Sequence, residues 1–291
     1  MEIDGNTQLV GIIGHGIHYT LSPAMHNAAF RALGMNWVYV PLRVAPGKVT
    51  AALRGLPALD FRGANVTLPH KLEAARLSDE LRGDAEVLGA VNTLVVEEGR
   101  LVGHNTDPVG FLGLLREVGA EVGGRAVALI GAGGAARSVA LAVMREGARI
   151  IYVLNRTESR AHELRERLKG VDASTEIRVE KLDKEGARVL RECHLVVNCT
   201  PLSGEEGEEL PLDYADLSGG KWAIDLKYGG VSPFLRRAAE RGARVVDGGE
   251  MLVHQAAASF TLWTGIAAPL EAMRQAYREA VRRRGGMEAE R

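Results

Sequence analysis

A glycine-rich segment near the middle of the chain has the residue types that bind a phosphate through the backbone. It reads Gly131-Ala132-Gly133-Gly134-Ala135-Ala136 and lies between an apolar run and a predicted helix. Gly131 permits a tight turn, Gly133 lets the backbone approach a pyrophosphate, and the helix start offers free N–H groups to the anion. Ala136 replaces the third glycine of the usual pattern, which is an accepted variant. The segment therefore predicts a dinucleotide-binding loop.

The end of the next predicted strand indicates which dinucleotide binds. An NAD site carries Asp or Glu there to hold the ribose 2′-hydroxyl. This chain has Asn155-Arg156-Thr157 instead, with Arg160 one helical turn later. The two guanidinium groups can flank a 2′-phosphate, and Thr157 can donate a hydroxyl hydrogen bond. Two ordinary surface arginines are the alternative, but the missing acid is an independent argument, and we expect NADP(H) as the cofactor.

Lys71 and Asp107 are the candidates for proton transfer. A ketone that accepts a hydride also needs a proton on its oxygen. A free lysine has a pKa of about 10.4, so a lysine that exchanges protons near neutral pH must be tuned by its surroundings. Asp107 could place the amine and balance its charge, or it could bond to the substrate. A surface ion pair is the alternative that the residues alone leave open.

Small polar clusters follow several predicted strands and loops. They are Thr20-Leu21-Ser22, the segment from Asn65 through Thr67 to Lys71, Asn92-Thr93, and Asn105-Thr106-Asp107. Ligands of open α/β sheets bind outside strand ends, and hydroxyl and amide groups suit a ligand rich in hydroxyls. Ser22 is also a candidate N-cap, with Pro23 in the first helical position. A helix start of this kind favours a carboxylate.

The elements that position these clusters alternate between strand and helix patterns along most of the chain. We predict strands at residues 9–13, 37–42, 63–66 and 93–96 in the first part, and at 125–130, 149–154, 195–198, 222–226 and 244–247 in the second. Two helical segments without strands, at 251–263 and 269–284, must pack on a domain that is already built. Strands that alternate with helices indicate parallel or mixed sheets covered by helices.

These patterns predict an α/β protein of two domains. The first is an N-terminal α/β substrate-binding and catalytic domain with a mixed or parallel sheet, formed by residues 1–106 and 248–291. The second, residues 107–247, is an NADP-binding Rossmann domain. The C-terminal helices return to the first domain, which makes that domain discontinuous.

Composition and charge exclude several classes of protein. The 291 residues are 46% hydrophobic and 25% charged, as in ordinary globular proteins, and 36 basic against 37 acidic residues leave a net charge of −1. The balanced charge predicts no nucleic-acid partner. The sequence has no apolar run of about 18 residues, and its first residues carry acids rather than a basic segment and an apolar core, so we expect no membrane span and no signal peptide. The two cysteines, Cys193 and Cys199, suit the reducing cytoplasm, and their spacing predicts no metal site.

The chain resembles the shikimate dehydrogenase family over nearly its full length. The resemblance rests on ordered motifs: Leu21-Ser22-Pro23-x-Met25-His26-Asn27, Asn65-Val66-Thr67-x-Pro69-x-Lys71, Gly89-Ala90-Val91-Asn92-Thr93, Asn105-Thr106-Asp107, the loop from Gly131 to Arg137, Asn155-Arg156-Thr157, Asn198-x-Thr200-Pro201-Leu202, and Met251-Leu252-Val253-x-Gln255-Ala256 with Phe260 and Trp263-Thr264-Gly265.

The resemblance implies a function and a set of site residues. The reaction would be the reversible NADPH-dependent reduction of 3-dehydroshikimate to shikimate in the chorismate pathway, with Lys71 as general acid and base beside Asp107. Shikimate contacts would fall to Thr20, Ser22, Thr67, Asn92, Tyr228 and Gln255. Cofactor contacts would fall to Gly131, Ala132, Gly133, Gly134, Ala135, Asn155, Arg156, Thr157, Arg160, Leu226 and Gly248. A cytoplasmic enzyme is expected, and a homodimer is the assembly that we consider.

Departures from the family pattern keep two alternatives open. Thr20 stands where the family usually has Ser, which adds a methyl group beside the substrate carboxylate. A broad quinate/shikimate dehydrogenase is therefore an alternative. Gly229-Gly230 replaces the usual Asn-Pro after Tyr228 and predicts a looser loop. The remaining alternative, a non-catalytic ligand sensor on the same fold, predicts the loss of Lys71 or Asp107, and both are present.

Overall fold

The computed structural model describes residues 2–202 and 210–289 and divides into two compact units. One unit comprises the chain up to Gly110 together with the chain from Leu252 onward, and the other comprises Phe111–Met251. These junctions, after 110 and 251, lie four residues beyond those predicted after 106 and 247. Within the described ranges, none of the helices combines the length and apolar character needed to cross a bilayer.

The first unit contains a mixed six-stranded sheet. Its strands are β1 (Gln8–Gly14), β2 (Trp37–Arg43), β3 (Phe61–Val66), β4 (Glu80–Leu81), β5 (Thr93–Glu97) and β6 (Arg100–His104), and its first helices are α1 (Ser22–Ala32), α2 (Val49–Ala58), α3 (Lys71–Leu77) and α4 (Asp84–Leu88). The spatial order is β2-β1-β3-β5-β6-β4. β1 is parallel to β2 and β3, β5 is antiparallel to β3 and β6, and β4 is parallel to β6.

The sequence analysis omits the strands β4 and β6 of this unit, and β6 joins the predicted β5 in a hairpin. Its turn residues, Glu98 (φ 51°) and Gly99 (φ 77°), both lie in the left-handed region, as in the two-residue turns that suit the twist of a hairpin. Asn, Asp or Gly is usual at the first of these positions, so Glu98 obscures the signal. The hairpin pairs Thr93 with His104 and so brings the chain back to the sheet end where β5 begins.

The second unit is a parallel six-stranded sheet in the doubly wound order. Its strands are β7 (Ala126–Ile130), β8 (Ile150–Asn155), β9 (Glu176–Lys181), β10 (Leu195–Asn198), β11 (Trp222–Asp225) and β12 (Arg244–Asp247), and its helices are α5 (Asp107–Val118), α6 (Gly134–Arg145), α7 (Glu158–Leu168) and α8 (Pro233–Glu240). The order is β12-β11-β10-β7-β8-β9, with every pair parallel. Counted along the unit, this is the 3-2-1-4-5-6 order of a Rossmann sheet.

Burial in the second unit explains which strands were predictable. All five residues of β7 are buried, as expected for a parallel strand covered on both faces. β9 lies at the sheet edge and reads Glu-Ile-Arg-Val-Glu-Lys, and its charges hide it among the polar loops. The sequence analysis accordingly omits β9, and it omits the short amphipathic α8 as well.

The predicted return of the C-terminal helices to the first unit is confirmed. These helices are α9 (Gly249–Thr264) and α10 (Leu270–Ala289), and α10 packs against α1. On α9, Trp263 Nε1 donates a hydrogen bond to the carbonyl of Leu94 on β5 at 2.9 Å. Gly63 on β3 makes room for this contact, since a Cβ there would overlap the indole ring. The α/β, two-unit fold class is thus as predicted.

Candidate active site

The register of the first sheet brings the polar clusters together at one end of its strands. β1 and β3 are parallel and end together, where Thr67 N donates to Ile13 O at 2.9 Å. β5 is antiparallel to β3 and begins at that same end of the sheet, where Thr93 pairs with Asn65. β6 is antiparallel to β5 and ends there. The clusters around Asn65, Asn92 and Asp107 therefore meet, although they are separated along the chain.

Lys71 and Asp107 form a largely buried ion pair at this end of the sheet. Lys71 is the first residue of α3 and Asp107 is the first residue of α5. Lys71 Nζ donates to Asp107 Oδ2 at 2.5 Å, and the two side chains are 16% and 8% exposed. Such low exposure argues against an ordinary surface pair, whose charges both stay in water. A protonated amine held by a carboxylate is a group that can deliver a proton to a nearby oxygen.

Asn92 holds the other oxygen of the Asp107 carboxylate. The Asn92 Oδ1 atom accepts a hydrogen bond from the backbone N–H of Thr106 at 2.8 Å. A backbone N–H can only donate, so this contact fixes the amide orientation and points Nδ2 the other way. Nδ2 donates to Asp107 Oδ1 at 2.7 Å. The Asp107 carboxylate is therefore held from both sides, by Lys71 and by Asn92.

Gln255 on α9 extends the same group of side chains. Its Oε1 atom accepts from Asn92 Nδ2 at 3.4 Å, and its Nε2 atom donates to Leu252 O at 2.9 Å. Four predicted site residues, Lys71, Asp107, Asn92 and Gln255, are thus joined by hydrogen bonds. This arrangement combines a proton donor, a charge partner and two amides.

The hydroxyls of Thr20 and Ser22 bond to each other, and Ser22 does not cap α1 as predicted. Ser22 is the first residue of the helix, and the N-cap is Leu21, without a side-chain cap hydrogen bond. The prediction of Ser22 as N-cap was therefore wrong. Thr20 Oγ1 lies 3.3 Å from Ser22 Oγ, so both hydroxyls stay next to the helix start. The side chain of Thr67 lies half-buried at the end of β3.

Tyr39 and His26 lie behind the site. The Tyr39 hydroxyl donates to Asn65 Oδ1 at 2.8 Å. His26 stacks on the Tyr39 ring with centroids 4.3 Å apart, and neither ring nitrogen has a hydrogen-bond partner among the described residues. Complete burial lowers the pKa of His26 to about 3, because the apolar surroundings disfavour the charged ring. His26 is therefore a neutral packing residue.

In the second unit, the glycine-rich loop joins β7 to α6 as predicted. Gly131 has φ +107°, and a Cβ there would lie 2.9 Å from Thr200 Cγ2, so the turn itself requires glycine. Gly133 is different: its φ is −81°, which any residue adopts, and nothing lies within 4 Å of its Cβ position. The space over Gly133 at the start of α6 fits a pyrophosphate that approaches the backbone.

The end of β8 presents cationic and hydroxyl groups without a carboxylate on the strand. Arg156, Thr157 and Arg160 are all exposed. Asn155 Nδ2 donates to Thr157 O at 2.8 Å and shapes the turn into α7. Thr157 is the N-cap of α7, but its side chain makes no cap hydrogen bond, so the hydroxyl is available to a ligand. These residues fit a 2′-phosphate.

Leu226 and Gly248 meet where β11 and β12 end. A Cβ on Gly248 would overlap the Leu226 carbonyl oxygen, so only glycine fits. The loop after Leu226 is better anchored than Gly229-Gly230 suggests: Asp247 Oδ2 accepts from Gly229 N at 3.1 Å. Asp225 Oδ2 also accepts from Ser232 Oγ at 2.6 Å. Burial raises the pKa of Asp225, against the effect of the Ser232 hydrogen bond.

Sequence reasoning missed Ser259 and Tyr39, which support the site without belonging to any polar cluster. Ser259 lies on α9, four residues after Gln255, and is fully buried. That spacing places both on one helix face and was the available signal. Tyr39 lies within an apolar strand, where a tyrosine is normally read as a packing residue.

Three family models match successive parts of the chain. Residues 12–94 match the shikimate dehydrogenase substrate binding domain, residues 114–204 match shikimate / quinate 5-dehydrogenase, and residues 248–276 match the shikimate 5′-dehydrogenase C-terminal domain. A curated shikimate dehydrogenase (NADP(+)) of Carboxydothermus hydrogenoformans is 43% identical over 279 residues, which cover 95% of this chain and 98% of the relative.

Solved structures show the same similarity in three dimensions. Shikimate 5-dehydrogenase from Thermus thermophilus, solved in complex with NADP(H) and shikimate, is 35% identical with a TM-score of 0.82 and covers 94% of this chain and 100% of its own. Quinate dehydrogenase from Corynebacterium glutamicum, in complex with NAD, is 29% identical with a TM-score of 0.84, covering 94% and 99%.

Proposed function

This chain belongs to the shikimate dehydrogenase family, and we propose that Lys71 and Asp107 carry out the proton transfer of that family's reaction. The reaction is the reversible NADPH-dependent reduction of 3-dehydroshikimate to shikimate, in the chorismate pathway to aromatic amino acids. One observation carries the residue assignment: Lys71 Nζ lies 2.5 Å from Asp107 Oδ2, largely shielded from solvent.

The chemistry of the chain is proton delivery and positioning. NADPH, when bound, supplies the hydride that reduces the ketone carbon. The Lys71 ammonium gives a proton to the ketone oxygen and becomes a neutral amine; in the reverse direction this amine takes the proton of the shikimate hydroxyl. Asp107 holds the amine in place and balances its charge. Asn92 keeps the carboxylate oriented through its 2.7 Å hydrogen bond.

Most of the substrate contacts are assigned to residues of the first unit. Thr20 and Ser22 bind the carboxylate, since they lie at the start of α1, where helix N–H groups favour an anion. Asn92 and Gln255 bind ring hydroxyls through their amides. Thr67 and Tyr228 complete the set proposed from the family resemblance.

Cofactor binding is assigned to the second unit. The loop from Gly131 to Ala135 binds the pyrophosphate, which the open space over Gly133 supports. Asn155, Arg156, Thr157 and Arg160 bind the 2′-phosphate, and the uncapped Thr157 hydroxyl supports this. Leu226 and Gly248 contact the cofactor from the ends of β11 and β12.

An absorbance assay at the wavelength of NADPH tests the function. We expect shikimate with NADP+ to give the highest kcat/KM among the four combinations of shikimate or quinate with NADP+ or NAD+. Equal or better turnover of quinate would favour the broad dehydrogenase, for which Thr20 and the quinate dehydrogenase relative are the supporting observations. No turnover with any pair would favour the non-catalytic sensor.

The assembly and location that we propose are a homodimer in the cytoplasm. The two cysteines, both present as free thiols, support a reducing compartment. The homodimer is proposed from the sequence analysis alone. Light scattering on the purified protein would show twice the mass of the chain; a monomer mass at all concentrations would overturn the proposal.

A further inference from the structure

We propose that Ser259 is a positioning residue that orients Asn92, and through it Asp107 and Lys71, for the proton transfer. The inference rests on the proposed function, since it adds a residue to that site. Ser259 lies on α9 in the first unit and is completely buried. None of the family motifs quoted above includes it.

The Ser259 hydroxyl lies within hydrogen-bond distance of three side chains of the site and of one backbone carbonyl. Asn65 Nδ2 donates to Ser259 Oγ at 3.0 Å, and the hydroxyls of Thr93 and Thr106 lie 2.8 Å and 3.2 Å away. Ser259 Oγ also lies 3.0 Å from Gln255 O, the backbone carbonyl one helical turn earlier. A buried serine that only satisfied itself would need no more than the last of these contacts.

The two threonines are the groups through which Ser259 acts on Asn92. Thr93 Oγ1 donates to Asn92 Oδ1 at 2.9 Å, and Thr106 Oγ1 accepts from Asn92 Nδ2 at 2.9 Å. A hydroxyl has one donor and two acceptor sites and rotates to suit its neighbours. A third hydroxyl between them limits both rotations. Ser259 therefore selects the pattern in which it donates to Thr93 and accepts from Thr106, so that Thr93 donates to the amide oxygen and Thr106 accepts from the amide nitrogen.

Ser259 also links the helix that carries Gln255 to the sheet, close to Asn92, which directly precedes β5. Its contacts to Asn65 on β3 and Thr93 on β5 cross between α9 and the sheet. Gln255 lies one turn earlier on the same helix, with Oε1 at 3.4 Å from Asn92 Nδ2. Loss of the serine hydroxyl would therefore loosen both amides assigned to the substrate.

Ser259→Ala tests the proposal. We expect kcat/KM for shikimate to fall about tenfold, about 1.4 kcal/mol, because misplaced groups slow proton transfer. The KM for NADP+ should stay unchanged, since Ser259 lies in the first unit. Thr261→Ala is the matched control: Thr261 is an exposed residue of the same helix whose hydroxyl donates to Ala257 O at 3.1 Å. This control should keep full kcat/KM.

A double-mutant cycle separates positioning from general loosening of the fold. In an Asn92→Ala background, Ser259→Ala should cost little more, because the group it orients is gone. A full tenfold loss in that background, or wild-type kinetics of Ser259→Ala, would overturn the proposal. If Ser259→Ala does not fold, Ser259→Cys keeps the volume with a weak donor; full activity there would also count against it. An inactive wild-type enzyme would instead refute the proposed function.

Discussion

Asp107 divides its carboxylate between two partners, one of which is Lys71, its partner in the proposed catalytic pair. One oxygen accepts from Lys71 and the other from Asn92. An ammonium group has three N–H donors, so the hydrogen bond to Asp107 uses one and leaves others for a substrate oxygen. The Asp107 carboxylate therefore orients the Lys71 ammonium group and still leaves N–H donors of that group for the substrate.

Replacing the amine should abolish most of the catalysis and spare the binding. We expect Lys71→Ala to lower kcat by about 100-fold or more, the contribution of a positioned acid or base, with a smaller change in KM for shikimate. Steady-state kinetics measure both. Lys169→Ala, which removes a 76% exposed lysine, is the control and should behave as wild type. A Lys71→Ala enzyme with near-normal kcat would remove Lys71 from the mechanism.

The loop between β7 and α6 contains two glycines that are required for different reasons. Gly131 is required by the fold, because its φ of +107° and its neighbour Thr200 exclude a side chain. Gly133 has an ordinary φ and open space where its Cβ would be. The protein itself could accept a side chain at Gly133, but a pyrophosphate that approaches this backbone could not.

Alanine at these two positions should separate stability from cofactor binding. Gly131→Ala should lower the free energy of unfolding by about 1 kcal/mol or more, since alanine does not fit a positive φ. Gly133→Ala should leave stability unchanged or slightly higher and raise the KM for NADP+. Thermal melting and steady-state kinetics are the measurements. A Gly133→Ala variant with normal cofactor affinity would argue against a pyrophosphate at this loop.

The turn from β8 into α7 should set the choice between NADP+ and NAD+. We expect Arg156→Ala to raise the KM for NADP+ about tenfold, since a hydrogen bond to a charged group contributes about 1.5 kcal/mol or more. The reaction with NAD+ should change little. Arg165→Ala, on α7 about two turns further on, is the control. Equal effects of Arg156→Ala on both cofactors would contradict binding of the 2′-phosphate at this turn.

The packing of the first unit makes its stability depend on pH through His26. The ring is fully buried with its pKa lowered to about 3, whereas its ordinary value is 6.5. Between these values the unfolded chain binds a proton that the folded chain excludes, so lowering the pH favours unfolding. The free energy of unfolding falls by about 1.4 kcal/mol per pH unit in this window and is unaffected by His26 above it.

Replacing His26 by a ring that does not titrate should remove this dependence. When the pH is lowered from about 7 to about 5.5, the free energy of unfolding should fall in both proteins. We expect the fall to be about 1 kcal/mol smaller in His26→Phe than in the wild type. Urea unfolding followed by tryptophan fluorescence at the two pH values measures the difference. His162→Phe replaces an exposed histidine of α7 and should follow wild type. Parallel pH profiles for His26→Phe and wild type would refute the linkage.

Local signals in the sequence were sufficient to predict the two sheets, the glycine-rich loop and the two C-terminal helices. β7 is a run of buried apolar residues before glycines, and the helices have periodic apolar faces. The absence of an acid at the end of β8 is equally plain from the sequence. Local signals did not reveal β6, because Glu98 replaces a usual turn residue, or β9, whose charges resemble those of a loop.

The meeting of the polar residues, in contrast, follows from how the chain packs in three dimensions. Asn92 and Asp107 come together because the β5–β6 hairpin returns to the end of the sheet where β5 begins. Ser259 and Gln255 join them because α9 packs back on the sheet from the far end of the chain. Local patterns describe each residue with its near neighbours. These contacts join residues 14 to 194 positions apart, so they depend on strand register and helix packing rather than on local sequence.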